Sequence, residues 1–325
     1  MDVVANGPTG PSRNDTTAAP SAISVDHLRK TYSGKAAVDD LSFSVRHGEV
    51  FALLGPNGAG KTTTVEILEG YRPVEAGSVR VLGLDPVGQG HRLKPRIGVM
   101  LQQDGVYPIL RAREVLELFA RFFSQPEDPT ELLQLVGLSE SANVRCRQLS
   151  GGQKRRLALA LALVGKPEIV FLDEPTTGMD PQARHATWDI IRSLRDRGTT
   201  VLLTTHYMEE ADQLADRVAI IDGGKLIALD TPEGLKRGKE SGTTEVRFNA
   251  IPGLDVIPLA ALPTVLSIDE VRAGRYVART ADVSSFLIDL ATWLKAKDGE
   301  LSELRVGRSS LEDVFISLTG KDMRE

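Results

Sequence analysis

Three stretches of the chain carry only apolar residues or threonine: Val50-Phe51-Ala52-Leu53-Leu54, Ile169-Val170-Phe171-Leu172, and Thr200-Val201-Leu202-Leu203-Thr204-Thr205. None of them alternates, which predicts strands buried on both faces of a largely parallel sheet. Residues 41–45 do alternate and predict a half-exposed strand feeding the first run. Another short strand is expected at 77–81, ahead of the segment 96–101. Helical spacing at 63–69 stops at Gly70, and helical Tyr207-Met208-Glu209-Glu210-Ala211-Asp212 follows the third apolar run. Between 112 and 147 the pattern changes: 112–123, 129–136 and 139–146 have helical spacing with few strand signals.

A break falls near Gly238-Lys239-Glu240-Ser241-Gly242. Beyond it, strands are predicted at 244–248, 265–271, 275–279 and 300–305, with an amphipathic helix at 283–295. The pattern suggests a small α+β sandwich. A last helical stretch, ending at Gly320, begins with the capping serines Ser309-Ser310. The organisation expected is a tail at 1–21, a first domain at 22–238 and an accessory domain at 243–325.

Chemistry enters between the first strand and the helix after it. Gly55-Pro56-Asn57-Gly58-Ala59-Gly60-Lys61-Thr62 fits G-x-x-x-x-G-K-[ST], in the strand–loop–helix context that this pattern requires. Glycines at 55, 58 and 60 permit a tight turn whose successive N–H groups point at one anion. The helix start adds its positive end to the same site. Lys61 then reaches the β- and γ-phosphates of a nucleotide, and the Thr62 hydroxyl ligates Mg²⁺. The second apolar run ends in Asp173-Glu174, and a parallel strand delivers such residues to the ligand-binding edge of its sheet. Asp173 is placed to hold Mg²⁺ through water; Glu174 is placed to accept a proton from the attacking water or to orient it. His206, at the end of the third run, is either a hydrogen-bonded strand-end histidine or a contact to the γ-phosphate.

Ser150 precedes Gly151-Gly152-Gln153 and a good helical run, so it sits where an N-cap belongs. A serine hydroxyl, two glycine N–H groups and a helix dipole make a second anion site. The basic run Lys154-Arg155-Arg156 reads as a solvated helix start rather than a nucleic-acid patch.

Four motifs now stand in one order: the glycine loop, Leu149-Ser150-Gly151-Gly152-Gln153, the stretch from Leu172-Asp173-Glu174 to Asp180-Pro181, and the stretch from Thr204-Thr205-His206 to Asp212. Over residues 23–236 they resemble the ATP-binding cassette (ABC) ATPases. The resemblance implies an α/β P-loop NTPase fold, with a mixed sheet and a helical subdomain at about residues 104–150. It implies ATP held by residues 55–62 and Thr63, with Tyr32 stacked on the adenine. It gives Gln102, which has Gln103 beside it, the sensing of Mg²⁺ and the attacking water. Asp180 would communicate across a homodimer, His206 would contact the γ-phosphate, and Ser150, Gly151, Gly152 and Gln153 would close over ATP bound to the other subunit. Arg111 stands where relatives commonly carry a capping Thr, a change expected to weaken the next helix start by ~1 kcal/mol. The ending and the His206 motif resemble the daunorubicin-resistance type of exporter subunit. That implies a separate integral membrane permease and a peripheral place on the cytoplasmic side of the membrane. Val106-Tyr107-Pro108-Ile109-Leu110 either meets that permease or packs the subdomain core.

Composition narrows the alternatives. A length of 325 residues suggests about two domains, and 41% hydrophobic content fits an ordinary globular chain. A formal charge of −5 provides no general basic field for nucleic acid. Cys146 is the only cysteine, which excludes an intrachain disulfide and suits a reducing cytosol. No apolar run approaches the length of a membrane span, so membrane passage would be a partner's. The Gly-, Pro-, Ser- and Thr-rich residues 1–21 lack the apolar core of a secretory signal and read as a disordered tail. A soluble ABC protein acting on ribosomes or DNA is the main alternative; against it stand the single cassette and the absence of sustained heptads. An importer ATPase would share every nucleotide motif. The leading expectation is an ATP-hydrolysing subunit powering export of a drug, antibiotic or lipid.

Overall fold

The three runs are neighbouring strands in the computed structural model, which describes residues 21–100, 107–237, 244–297, 300–307 and 310–320. Strands β3 (Val50–Leu54), β6 (Ile169–Asp173) and β7 (Thr200–Thr205) are buried at every residue. They lie parallel in the order β6-β7-β3. On one flank β5 (Ile97–Met100) pairs parallel with β6. On the other, β8 (Arg217–Asp222) pairs parallel with β3, and β9 (Lys225–Asp230) returns antiparallel as the edge. The sheet is therefore mixed, as expected. A second, antiparallel sheet has the order β2-β1-β4, formed by β1 (Ile23–Tyr32), β2 (Lys35–Val45) and β4 (Ala76–Val81).

Alternation along β3 divides its side chains between two cores. Phe51 and Leu53 face the antiparallel sheet, where Phe43 stacks on Phe51 with ring centroids 5.3 Å apart. Helix α1 (Lys61–Leu68) adds Val65, Ile67 and Leu68 to this core. Beyond it lies the one-turn helix α2 (Gly90–Leu93). Val50, Ala52 and Leu54 face the opposite core, shared with α3 (Ala112–Ala120), α4 (Pro129–Leu135), α5 (Gly151–Leu163) and α6 (Pro181–Asp196). Helices α7 (Met208–Leu214) and α8 (Pro232–Arg237) complete this side.

The helix expected at 139–146 does not form. Those residues make turns leading into a single 3-10 turn, Cys146–Gln148. Their hydrogen-bonding groups are used elsewhere. The carbonyls of Val144 and Ala142 accept from the N–H groups of Ala112 and Arg113, at 3.1 and 3.0 Å, and Cys146 N–H donates to the Leu110 carbonyl at 2.8 Å. A helix would need those groups for its own ladder. The segment instead anchors the start of α3. That start follows Arg111, which offers no side-chain acceptor; Glu114 supplies the other half of a capping box by accepting from Arg111 N–H at 2.8 Å.

The C-terminal part contains a four-stranded antiparallel sheet in the order β11-β12-β10-β13. Its strands are β10 (Thr244–Asn249), β11 (Val265–Arg272), β12 (Arg275–Thr280) and β13 (Glu303–Gly307). The last begins three residues later than expected. Helices α9 (Ile257–Ala260) and α10 (Val283–Ala296) bury Leu259, Phe286, Leu290 and Leu294 against Val246, Phe248 and Tyr276 of this sheet. Helix α11 (Leu311–Thr319), capped by Ser310, does not join that core. Its Leu311 and Phe315 are buried in the core of the central sheet, beside Ala211, Leu214 and Leu235. An ion pair from Asp313 to Arg247 ties α11 back to β10. The break expected at 238–242 lies outside the described residues, as do residues 1–20.

Candidate active site

The glycine loop leaves β3 under close steric constraint. A Cβ at Gly55 would sit 2.3 Å from the Ile221 carbonyl oxygen, so nothing larger than glycine fits between β3 and β8. Gly60 has φ +100°, and a Cβ there would meet the Ala37 carbonyl at 2.3 Å. It precedes α1 as an N-cap without a side-chain acceptor, leaving the first N–H groups of the helix for a ligand. Asn57, Gly58 and Thr62 are exposed at the mouth, Pro56 and Thr63 are half-buried, and Ala59 is buried. Lys61 is buried, and its ammonium donates to the carbonyls of Gly55 at 2.7 Å and Pro56 at 3.1 Å. Burial lowers the pKa of Lys61, while the charges of Glu174 and Asp173 oppose that shift.

The two carboxylates are placed by the neighbouring strand. Thr204 of β7 donates its hydroxyl proton to Asp173 Oδ1 and accepts from Glu174 N–H at 3.0 Å. Thr62 Oγ1 donates to the other Asp173 oxygen at 3.2 Å. Glu174 leaves the strand with φ +49°, a left-handed conformation that costs a non-glycine residue about 1–3 kcal/mol and is characteristic of functional sites. Its carboxylate accepts from Thr177 Oγ1 at 3.1 Å and lies 3.2 Å from His206 Nδ1. Its backbone carbonyl accepts from Arg155 Nη2 at 2.9 Å. Arg155 is buried, bonded to the backbone of Glu174, and Arg156 donates to the carbonyls of Val136 and Gly137. This corrects the expectation of a solvated basic helix start: two of its three cations point inward to backbone carbonyls.

Lys61, Thr62, Asp173, Glu174 and His206 thus form one neighbourhood, joined by hydrogen bonds and charge. Other expected residues belong to separate sets. Ser150 caps α5, its hydroxyl accepting from Gln153 N–H at 3.2 Å while Gln153 Oε1 accepts from Ser150 N–H at 2.9 Å. Gln153 Nε2 also donates to Ser141, fixing this cap to the turn segment. Asp180 caps α6 through Ala183 N–H at 2.9 Å. Tyr32, at the end of β1, is 38% exposed, with the Arg72 guanidinium 5.3 Å and the Lys30 ammonium 5.9 Å from its ring centroid. Gln102 lies outside the described residues. Sequence reading missed Thr204, Thr177 and Arg155. All three act through contacts to residues 19 to 31 positions away or through a tight turn, for which no local pattern exists.

A glycine loop joining a buried parallel strand to a helix, with Lys61 and Thr62 facing an Asp-Glu strand end, defines a P-loop nucleoside triphosphatase. The ABC transporter family profile matches residues 38–177. "Nod factor export ATP-binding protein I" of Ralstonia nicotianae is 39% identical, over 98% of each chain. "Daunorubicin resistance ATP-binding protein DrrA3" of Streptomyces coeruleorubidus is also 39% identical, over 94% of this chain and 98% of its own. Among solved structures, an ATP-binding cassette in a dimeric post-hydrolysis state with ADP and Pi superposes with a TM-score of 0.60 at 25% identity, covering 64% of this chain and 98% of that one. The cbiO1 protein of Clostridium perfringens gives 0.61 at 25% identity, covering 68% and 92%. The chain belongs to the ABC transporter family, as an ATP-binding, ATP-hydrolysing subunit of the export type. No helix among the described residues is long and apolar enough to cross a membrane.

Proposed function

We propose that two copies of this chain clamp two MgATP between them and drive a separate membrane permease in the export direction, from the cytoplasmic face of the membrane. The observation that carries the hydrolytic reading is the pairing of Glu174 with His206 at 3.2 Å, beside the 3.2 Å contact of Thr62 with Asp173. Thr62 and Asp173 present hard oxygen donors that suit Mg²⁺, an ion that favours one or two protein ligands plus phosphate oxygens. When bound, Mg²⁺ neutralises charge on the phosphates. Lys61 moves its ammonium from the loop carbonyls to the β- and γ-phosphates. Glu174 accepts the proton of the attacking water, and His206, held by Glu174, meets the γ-phosphate. Tyr32 stacks on adenine, and Gln102 senses the metal and the water. Ser150, with the N–H groups of Gly151 and Gly152, closes over the nucleotide of the second copy, and Asp180 communicates across that interface.

The exposed Tyr107 and Ile109 suit contact with the permease. We infer a cargo of drug, antibiotic or lipid type; the names of the relatives, Nod factor export and daunorubicin resistance, support export of a small molecule. Glu174→Gln tests the mechanism: it removes the proton acceptor and keeps the hydrogen-bonding shape. Turnover should fall by about 10²-fold or more, with an ATP-bound dimer accumulating on size-exclusion chromatography. A variant that stays monomeric in ATP and hydrolyses at the wild-type rate would overturn the proposal.

A further inference from the structure

Glu210, in the first turn of α7, is fully buried, yet none of the roles above uses it. Its Oε1 accepts from Thr176 Oγ1 at 2.8 Å and from Trp188 Nε1 at 3.3 Å. Its Oε2 is buried without a hydrogen-bond partner. A carboxyl withdrawn from water carries a desolvation cost, which its hydrogen bonds offset only in part. Those bonds join two segments. Thr176 lies two residues after Glu174, and Glu210 lies four residues after His206, on the helix that begins at the end of β7. Trp188, wholly buried in α6, closes the third side.

We propose that Glu210 is a positioning residue for hydrolysis: its buried carboxyl fastens the segment leaving Glu174 to the helix following His206, and so sets where these two side chains meet. The proposal rests on the hydrolytic reading of Glu174 and His206. Directly, those two are joined by one contact, 3.2 Å long. Each sits just past a strand end, on the β6 and β7 sides respectively. At the strand ends Thr204 sets the backbone of Glu174. Past the strands, the Thr176–Glu210 bond supplies a second tie, on the far side of both residues. A second tie converts a pivot into a fixed arrangement, and misplacement of reacting groups by about 1 Å can cost 10²-fold in rate. The hydrogen bonds of Glu210 run to Thr176 and Trp188 rather than to the glycine loop, so ATP affinity should not depend on it.

The test compares Glu210→Ala, Glu210→Gln and Thr176→Val in the full chain, measuring kcat, ATP Kd and thermal melting. Glu210→Ala and Thr176→Val should each lower kcat about 10–100-fold with ATP affinity unchanged. Glu210→Gln, which keeps the accepting oxygen, should restore most of the rate. If Glu210→Ala fails to fold, Thr176→Val decides, because it is close to isosteric and leaves the carboxyl in place. Folded Thr176→Val protein with wild-type kcat overturns the proposal, as does a Glu210→Ala protein that binds and turns over ATP normally. Glu174→Gln serves as the control. Its inactivity alongside normal Thr176→Val confines the failure to this inference, whereas its full activity removes the hydrolytic reading itself.

Discussion

Glu69 shows how much one buried side chain can decide without appearing in any motif. It follows the last turn of α1, is almost completely buried, and has its carboxyl pushed up to about 8, first by burial and then by the charges of Asp173 and Glu66. A folded pKa above the unfolded value means the protonated form is the stable one. The contribution is complete below the ordinary value of 4.5 and is lost as pH rises through about 8. Glu69→Gln mimics the protonated group, so chemical denaturation should show the wild type losing a few kcal/mol relative to the variant across that window. A constant difference between the two proteins from low to high pH would refute the assignment. The grouping of the glycine loop with Asp173 and Glu174 was legible in the sequence because their spacing is local and their strands are apolar, whereas the γ-phosphate role of His206 was implied only by the family resemblance. Glu69, Thr204 and Arg155 were not legible, because each acquires its role from a partner on another element.

At the scale of elements, continuous apolar runs and long amphipathic stretches were read correctly: β3, β6, β7, β10, β12 and α10 fall within one or two residues of expectation. Residues 139–146 failed because helical spacing records which side chains are apolar, not where the backbone groups bond. Here the carbonyls of Ala142 and Val144 serve α3. The same helix start offers a test of capping. Arg111 occupies the N-cap with extended backbone and an exposed side chain. Arg111→Thr adds an acceptor for the first turn while leaving the Glu114 half of the box in place. Unfolding free energy should rise by up to about 1 kcal/mol, read from urea midpoints; an unchanged or lower midpoint would show that Glu114 alone already satisfies the helix start.

Across the whole molecule, the decisive feature is α11. It is last in sequence, pairs with the C-terminal sheet through Asp313 and Arg247, and buries Leu311 and Phe315 in the core beneath the central sheet. The C-terminal sheet and the nucleotide-binding sheet are therefore linked through α11, by its packing on one side and its ion pair on the other, and α11 touches α7, which follows His206. Phe315→Ala should cost about 3–5 kcal/mol and should separate the two sheets in hydrogen exchange, with β10 and β12 amides opening before those of β3 and β7. Exchange that remains in step after this change would show that α11 does not couple them.

By itself the sequence determined the P-loop chemistry, the order of the motifs, the buried parallel strands and the capping of α5 and α11. These depend on contacts within a few residues or on apolar periodicity, both of which are written along the chain. Only the tertiary structure decided that Thr204 would align Asp173 with Glu174, that Arg155 would turn inward, that 139–146 would not be helical and that α11 would leave its own sheet. Each of these depends on which distant backbone or side-chain group lies within hydrogen-bonding or packing distance. Chain spacing does not encode that distance; it is set when the sheets and helices close around their shared cores.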